Sequence, residues 1–338
     1  MKATMLHGAR DIRFEAVAVP SIEKPTDAVI RIAATCVCGS DLWPYRGIQP
    51  LAQPTRMGHE YCGEVVEVGS AVTTVKPGQF VIGSFFASDG TCPNCLAGYQ
   101  SSCVHRELVG NAQAGMLRVP LADGTLVATP EMPPASMIPD LLTLSDVMGT
   151  GWFAAEAAEV APAKTVVVVG DGAVGLLAVL SAKLKGAERI IAMSGHPTRQ
   201  TLAREFGATD IVAERGEAGI ARVMELTDGV GADCVLECVG TQGSFTQAIG
   251  CTRKGGHMSF VGVPHGVSLD GAALFFAHIH LHGGPAPVRR FLPDLIDLVW
   301  TGKIHPGKVF DLELPLEQVA EAYRAMDERR AIKALLRP

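Results

Sequence analysis

The 338-residue sequence has few charges, no basic run and no long uninterrupted apolar segment. Charged residues make up 19% and the formal net charge is −6, so we do not expect a surface for nonspecific nucleic-acid binding. The longest apolar stretch, 286–300, is broken by charges such as Arg289 and Asp294. No segment is therefore long enough to span a bilayer, and neither internal repeats nor low-complexity segments are present.

The first twenty residues lack the apolar core of a secretory signal and carry Asp11 and Glu15. Nine cysteines without such a signal indicate cytosolic thiols or metal ligands rather than a disulfide framework. Hydrophobic residues make up 48% of the chain, and its length exceeds what one small core requires. We therefore expect a cytoplasmic globular protein of about two domains.

The first third of the sequence has the pattern of short strands. Segments 28–33 and 63–69 lie between turn signals, and their residues are apolar or alternate between apolar and polar. A tight turn at 76–78 precedes an apolar segment at 80–82. This pattern predicts an all-β barrel.

The pattern changes near Asp146, where a helix-forming segment, 151–158, precedes the apolar strand 165–169. Strands then alternate with helices, which is typical of a doubly wound parallel sheet. The predicted strands are 166–169, 190–193, 211–212, 234–238, 257–261 and 279–282. The predicted helices are 174–185, 199–206, 220–227 and 244–249, and the tail from Pro285 adds helices at 291–300 and 316–327.

A Gly-x-Gly-x-x-Gly pattern, Gly170, Gly172 and Gly175, lies between the first of these strands and its helix, with Ala173 and Val174 inside it. Glycines permit a tight turn and close approach of a pyrophosphate to the helix N-terminus. In this context the pattern predicts a dinucleotide site. The alternative is a purely structural glycine turn.

The turn after the second strand has no carboxylate that could bind the ribose hydroxyls of NAD. It offers Ser194, His196 and Arg199 instead, and these side chains suit a 2′-phosphate. We therefore expect NADP to be preferred, with NAD as the other option. The alternative is that these are ordinary polar turn residues.

Four potential metal ligands, Asp89, Cys92, Cys95 and Cys103, fall within fifteen residues. Their spacing suits a closed tetrahedral zinc site, in which a carboxylate takes the place of one thiolate. The other interpretation is three unrelated cysteines in a flexible loop.

A second candidate metal set combines Cys38, which follows a predicted strand, with His59 and Glu60 about twenty residues later. A thiolate, an imidazole and a carboxylate from separate loops can form an open catalytic zinc site. Taken alone, these residues could equally be packing residues.

Together these motifs resemble the zinc-containing alcohol dehydrogenases of the medium-chain dehydrogenase/reductase family, and the resemblance extends over essentially the whole chain. It implies an α/β protein with a GroES-like β-barrel catalytic domain at 1–147 and 283–338. It also implies a Rossmann doubly wound parallel-sheet domain at 148–282. The implied activity is hydride transfer between an alcohol and NADP, which in reverse reduces an aldehyde or ketone.

The resemblance also implies roles for individual residues. Cys38 and His59 match catalytic zinc ligands, and Asp146 matches a third ligand that is aspartate in a bacterial branch. Glu60 matches an outer or exchangeable ligand, and Ser40 matches the hydroxyl that relays the alcohol proton.

In the cofactor site, Thr150 and Val174 match residues beside the nicotinamide, and Lys333 matches a basic residue at the pyrophosphate. Two positions depart from the family pattern. Asp89 stands where the family has its first loop cysteine, so this site could also hold three ligands or be empty. Trp43 stands where many relatives have a proton-relaying histidine, so the proton must leave through water, the ribose or another side chain.

Two other functions are compatible with parts of this pattern. Zinc-independent quinone or enoyl reductases share the superfamily, and some non-enzymatic proteins retain only cofactor binding. The set of Cys38, His59 and Asp146 argues against both. We expect two zinc ions per chain, a small alcohol or carbonyl substrate that the sequence does not identify, and a homo-oligomer, tetramer rather than dimer.

Overall fold

The computed structural model describes residues Met1–Pro338. The chain divides into two compact units, Met1–Gly149 with Pro287–Pro338, and Thr150–Ala286. The strands, numbered in chain order, are β1 (Lys2–Gly8), β2 (Asp11–Ala16), β3 (Ala28–Cys36), β4 (Thr55–Arg56), β5 (Tyr61–Val68), β6 (Phe80–Gly83), β7 (Phe86–Ala87), β8 (Glu107–Leu108), β9 (Met116–Val119), β10 (Leu126–Ala128), β11 (Thr165–Val169), β12 (Arg189–Met193), β13 (Asp210–Val212), β14 (Ala232–Glu237), β15 (Thr252–Phe260), β16 (His280–Gly283), β17 (Leu312–Pro315) and β18 (Ala334–Arg337).

The α-helices are α1 (Leu42–Tyr45), α2 (Pro93–Leu96), α3 (Ala122–Thr125), α4 (Ile138–Thr143), α5 (Val147–Ala157), α6 (Ala173–Leu184), α7 (Pro197–Phe206), α8 (Gly216–Leu226), α9 (Gln242–Cys251), α10 (Gly271–Ala277), α11 (Val288–Trp300) and α12 (Val319–Asp327). Short 3-10 helices lie at Gly39–Asp41, Gln100–Ser102, Ala135–Met137, Pro306–Val309 and Leu316–Gln318. No helix combines the length and apolar character needed to cross a membrane.

The first unit is built on a seven-stranded sheet in the order β10-β6-β5-β3-β18-β17, with β9 also paired to β3. Strand β3 is buried along most of its length because it has apolar residues on both faces. Strand β18 pairs antiparallel with the end of β3, with Leu335 opposite Cys36. This pairing brings the last residues of the chain to the segment that follows Cys36.

The second unit contains a six-stranded sheet in the order β13-β12-β11-β14-β15-β16, and every pairing in it is parallel. In chain order this is 3-2-1-4-5-6, the arrangement of dinucleotide-binding doubly wound sheets. Val166–Val169 are buried at the centre of the sheet, as expected for a parallel strand covered on both faces. The predicted α/β class with a doubly wound parallel sheet is confirmed.

Several element bounds differ from the sequence prediction. Helix α8 begins at Gly216 rather than at 220, and its first turn was missed because it contains no large apolar residue that would mark a helical period. The helix predicted at 316–327 is a 3-10 turn over Leu316–Gln318 followed by α12. Helix α10 was not predicted; its N-cap is Asp270, whose carboxylate accepts the backbone N–H groups of Ala272 and Ala273.

Candidate functional site

Cys38 lies just after β3, where the chain turns into the 3-10 helix Gly39–Asp41. Its backbone N–H donates to Asp41 Oδ2 at 3.0 Å, so the carboxylate three residues later in the chain fixes the turn. Ser40 is half-buried in the middle of this helix. The thiol of Cys38 is itself buried.

The structure brings Cys38, His59, Glu60 and Asp146 together, with one donor atom of each within 4.8 Å of the others. Asp146 Oδ2 lies 3.6 Å from Cys38 Sγ and 3.3 Å from His59 Nε2. Tetrahedral zinc with ordinary bond lengths separates S and O ligands by about 3.5 Å, and N and O ligands by about 3.3 Å. The donor set therefore fits a zinc ion, and three protein ligands would leave the fourth position open.

His59 is oriented by a residue that the sequence analysis did not single out. Its Nδ1 lies 3.5 Å from Asp41 Oδ1, which leaves Nε2 facing Asp146. Carboxylates commonly fix metal-binding histidines in this way. Gln113 Nε2 in turn lies 3.5 Å from Asp41 Oδ2, and Tyr323 donates its hydroxyl to Gln113 Oε1 at 3.2 Å. Helix α12 is thus connected to the donor set through side chains.

Glu60 forms a buried ion pair with Lys333, which precedes β18. Lys333 Nζ lies 2.7 Å from Glu60 Oε1 and donates to the carbonyl of Val37 at 3.2 Å, and both charged side chains are only 1% exposed. The other oxygen, Glu60 Oε2, is buried without a hydrogen-bond partner. In this structure Lys333 thus neutralises Glu60, a role that the sequence did not predict, and its contact with pyrophosphate stays a prediction.

Negative groups dominate this cluster. Burial, and after it the carboxylates of Asp146 and Glu60, raises the pKa of the Cys38 thiol. Burial lowers the pKa of His59, but Asp41 and Cys38 outweigh that effect and hold it well above its ordinary value. A bound divalent cation would reverse both tendencies, because it stabilises the thiolate and competes with the proton on imidazole. The electrostatics therefore agree with the geometry in fitting a cation.

The second donor set, Asp89, Cys92, Cys95 and Cys103, also comes together within 4.8 Å. Cys92 Sγ lies 3.5 Å from Cys95 Sγ and 3.9 Å from Cys103 Sγ. Two thiolates on a tetrahedral zinc are separated by about 3.8 Å. The three thiols are buried and none forms a disulfide, so this set fits a closed metal site.

Asp89 is already well bonded. Its Oδ1 accepts the backbone N–H groups of Thr91 and Cys92 at 2.8 and 2.9 Å, and its Oδ2 lies 2.7 Å from His105 Nδ1. Burial raises the pKa of Asp89, but these bonds outweigh it and hold the pKa well below its usual range. The backbone N–H groups of Val104 and Cys95 lower the pKa of the Cys92 thiol to about 7. His105 was not identified from the sequence because it lies outside the cysteine spacing.

In the second unit, the glycine-rich turn joins β11 to α6. Gly170 has φ 119°, which favours glycine. A Cβ on Gly175 would lie 1.9 Å from the carbonyl oxygen of Gly170. Gly172 caps α6, so the N–H groups of Ala173 and Val174 lie in its first turn. This turn fits a pyrophosphate at the helix N-terminus.

Ser194 and Arg199 converge on Asp171, which lies between the first two glycines and was not singled out from the sequence. Ser194 donates its hydroxyl to Asp171 Oδ2 at 2.8 Å, and Arg199 Nη1 lies 3.2 Å from Oδ1. His196 is the N-cap of α7. The turn after β12 itself has no acidic residue, but the preceding turn places a carboxylate beside it. Thr150 is buried in α5.

Comparison with known proteins agrees with both units. Residues 24–138 match the family model for the alcohol dehydrogenase GroES-like domain, and residues 173–300 match that for zinc-binding dehydrogenases. Zinc-type alcohol dehydrogenase B of Aspergillus flavus is 33% identical over 100% of this chain and 81% of its own length.

Solved structures give the same result. Alcohol dehydrogenase TADH from Thermus sp. ATN1 is 30% identical, with a TM-score of 0.91 over 100% of this chain and 99% of that one. A zinc-binding dehydrogenase from Sinorhizobium meliloti 1021, bound to NADP, is 27% identical, with a TM-score of 0.82 over 100% and 99% of the two chains.

Proposed function

This chain belongs to the zinc-containing alcohol dehydrogenases of the medium-chain dehydrogenase/reductase family, and on that premise we propose that it is an NADP-preferring alcohol dehydrogenase and carbonyl reductase. Membership fixes the class of enzyme, a zinc-dependent oxidoreductase. The choice of cofactor, the residues in each role and the number of metal ions are our proposals.

The observation that carries the proposal is the convergence of Cys38 Sγ, His59 Nε2 and Asp146 Oδ2 at separations of 3.3 and 3.6 Å. When bound, zinc supplies the Lewis acidity that lowers the pKa of an alcohol, and the nicotinamide supplies hydride exchange. Zinc-independent reductases do not require this donor set. A protein that only binds the cofactor does not require it either.

The chain's own residues provide orientation and proton transfer. Asp41 orients His59, and Lys333 balances the charge of Glu60. We assign the proton of the alcohol to Ser40 Oγ, because this hydroxyl lies two residues from Cys38 and is small and rotatable. Trp43, half-buried in α1, cannot accept that proton, so the proton would leave Ser40 through water, through the ribose of a bound cofactor or through another side chain.

Cofactor binding is assigned to the turns at the carboxyl ends of β11 and β12. Gly170, Gly172 and Gly175 leave room for the pyrophosphate, and Arg199 compensates the charge of Asp171. The carboxylate that could favour NAD is thus neutralised. This supports NADP as the preferred cofactor.

We further propose two zinc ions per chain, one in each donor set, and a homo-oligomer, a tetramer rather than a dimer, in the cytoplasm. The substrate class is small alcohols, sugar alcohols, aldehydes or ketones.

The test is oxidation of NADPH with a panel of aldehydes and ketones, before and after removal of zinc by a chelator. We expect turnover that is lost with zinc and recovered on its return. Turnover that persists without zinc would indicate a zinc-independent reductase. NADPH binding without turnover of any carbonyl would indicate a non-enzymatic protein.

A further inference from the structure

The three loops that follow β11, β12 and β13 are neighbours, because β12 lies between the other two and all three strands are parallel. The first loop carries Asp171, the second carries Ser194 and Gly195, and the third carries Arg215. A nucleotide bound at this sheet edge would meet side chains of all three. The inference below rests on the proposed NADP preference.

The positive charge of Arg199 is already matched. Its guanidinium lies 3.2 Å from Asp171 Oδ1 and 3.4 Å from the backbone carbonyl of Asp171, and the two side chains are 12% and 11% exposed. Ser194 donates to the remaining oxygen of Asp171. A phosphate that binds Arg199 would therefore displace the carboxylate of Asp171 or bind beside it, and like charges repel at that distance.

Arg215, in the loop after β13, lies near the same turn. It is exposed and is the N-cap residue of α8. Its Nη2 lies 3.9 Å from the position that a Cβ on Gly195 would occupy. Gly195 is exposed and has no side chain, so the guanidinium of Arg215 lies close to the backbone of this turn. The structure gives Arg215 no acidic partner, in contrast to Arg199.

We infer that Arg215, and not Arg199, binds the 2′-phosphate of NADP, and that Asp171 limits this selectivity by holding Arg199. Guanidinium groups bind phosphate through paired N–H donors. A guanidinium without an acidic partner does so without first breaking an ion pair. The ion pair of Asp171 and Arg199 has no net charge, so it adds no net electrostatic attraction for the phosphate.

The test compares the affinities of adenosine 2′,5′-bisphosphate and AMP, which differ only in the 2′-phosphate, by calorimetry on the full chain. We expect the wild type to bind the bisphosphate at least about tenfold more tightly, a difference within reach of one or two charge-assisted bonds. Arg215→Gln is expected to remove most of this preference. Arg204→Gln, at an exposed position on α7, removes the same charge elsewhere and is expected to leave the preference unchanged.

Two variants test the role of the ion pair between Asp171 and Arg199. Asp171→Asn removes the negative charge that pairs with Arg199 and is expected to increase the preference for the bisphosphate. The double variant Asp171→Asn/Arg199→Gln removes the pair as a neutral unit and is expected to keep the wild-type preference. Circular dichroism checks that each variant is folded.

The outcomes separate this inference from the proposed function. If Arg215→Gln keeps the wild-type preference, or the double variant loses it, the assignment to Arg215 is wrong while the NADP preference stands. If the wild type binds AMP as tightly as the bisphosphate, the NADP preference itself is wrong, and the assignment fails with it.

Discussion

At the scale of single residues, the ion pair of Lys333 and Glu60 is the clearest departure from what the sequence motifs indicate. Both side chains are 1% exposed and their charged atoms lie 2.7 Å apart. Burial raises the pKa of Glu60, and Lys333 counteracts that rise. A buried ion pair stabilises the folded state little more than an apolar pair of similar size would. Removal of one partner, however, leaves an unpaired buried charge, which destabilises the folded state.

Lys333→Met is therefore expected to lower the free energy of unfolding by about 3–5 kcal/mol. The double variant Lys333→Met/Glu60→Gln removes the second charge and is expected to recover most of that loss. Urea unfolding of the three proteins, each with its metal content measured, gives the comparison. Equal stability of Lys333→Met and the wild type would contradict the pairing.

The sequence singled out the residues of the donor cluster, but it did not predict that Lys333 pairs with Glu60, and the reason is physical. Cys38, His59 and Asp146 are recognisable because their residue types recur in motifs of known chemistry. The partners Lys333 and Glu60 are 273 residues apart, and they meet only because β18 pairs with β3. That register depends on tertiary structure, which no local pattern specifies.

At the scale of elements, the loop around Asp89 and the three cysteines has little regular structure to hold it. Helix α2 has four residues and the following 3-10 helix has three, and isolated helices of this length are not stable in water. The buried thiols form a small apolar cluster of their own. A metal ion is therefore the main expected source of stability for this loop.

Cys92→Ser is expected to lower the melting temperature and the zinc content, with kcat per folded enzyme largely retained. Cys38→Ser is expected to abolish turnover with little change in melting temperature. Cys238→Ser, outside both donor sets, serves as the control. Elemental analysis, calorimetric melting and initial rates on the same preparations test the division, which would be wrong if the Cys92 and Cys38 variants behaved alike.

Longer elements with a clear pattern of apolar residues were predicted more successfully than short elements. The central strand β11 and helix α6 follow the predicted segments to within a residue or two. Short elements such as α10 were missed because a seven-residue segment gives too few turns for a periodic pattern to stand out. Strand β18 was missed because four residues, Ala334–Arg337, form a strand only through their partners β3 and β17.

At the scale of the whole molecule, each of the two units contains hydrophobic clusters of its own. The first contains clusters around Tyr323 and around Tyr61, and the second contains a cluster around Val167 and Phe245. Both candidate metal sites belong to the first unit, and the glycine-rich turn belongs to the second. The candidate metal sites and the candidate nucleotide turn thus lie in different units.

Removal of zinc is accordingly expected to abolish carbonyl reduction while the affinity for adenosine 2′,5′-bisphosphate changes by less than about twofold, because a domain with its own core keeps its fold. Calorimetric titration of chelator-treated protein, with the untreated protein as control, provides the measurement. A large loss of nucleotide affinity would mean that the two sites are coupled.

The insertion of β18 between β3 and β17 also has a consequence for synthesis on the ribosome. The second unit is continuous in the chain and can fold as soon as it emerges, as domains generally do. The first unit cannot complete its sheet until Ala334–Arg337 have left the exit tunnel. Until then Glu60, made 273 residues earlier, lacks its ion-pair partner Lys333. The sheet of the first unit therefore stays incomplete while the second unit is translated and folds.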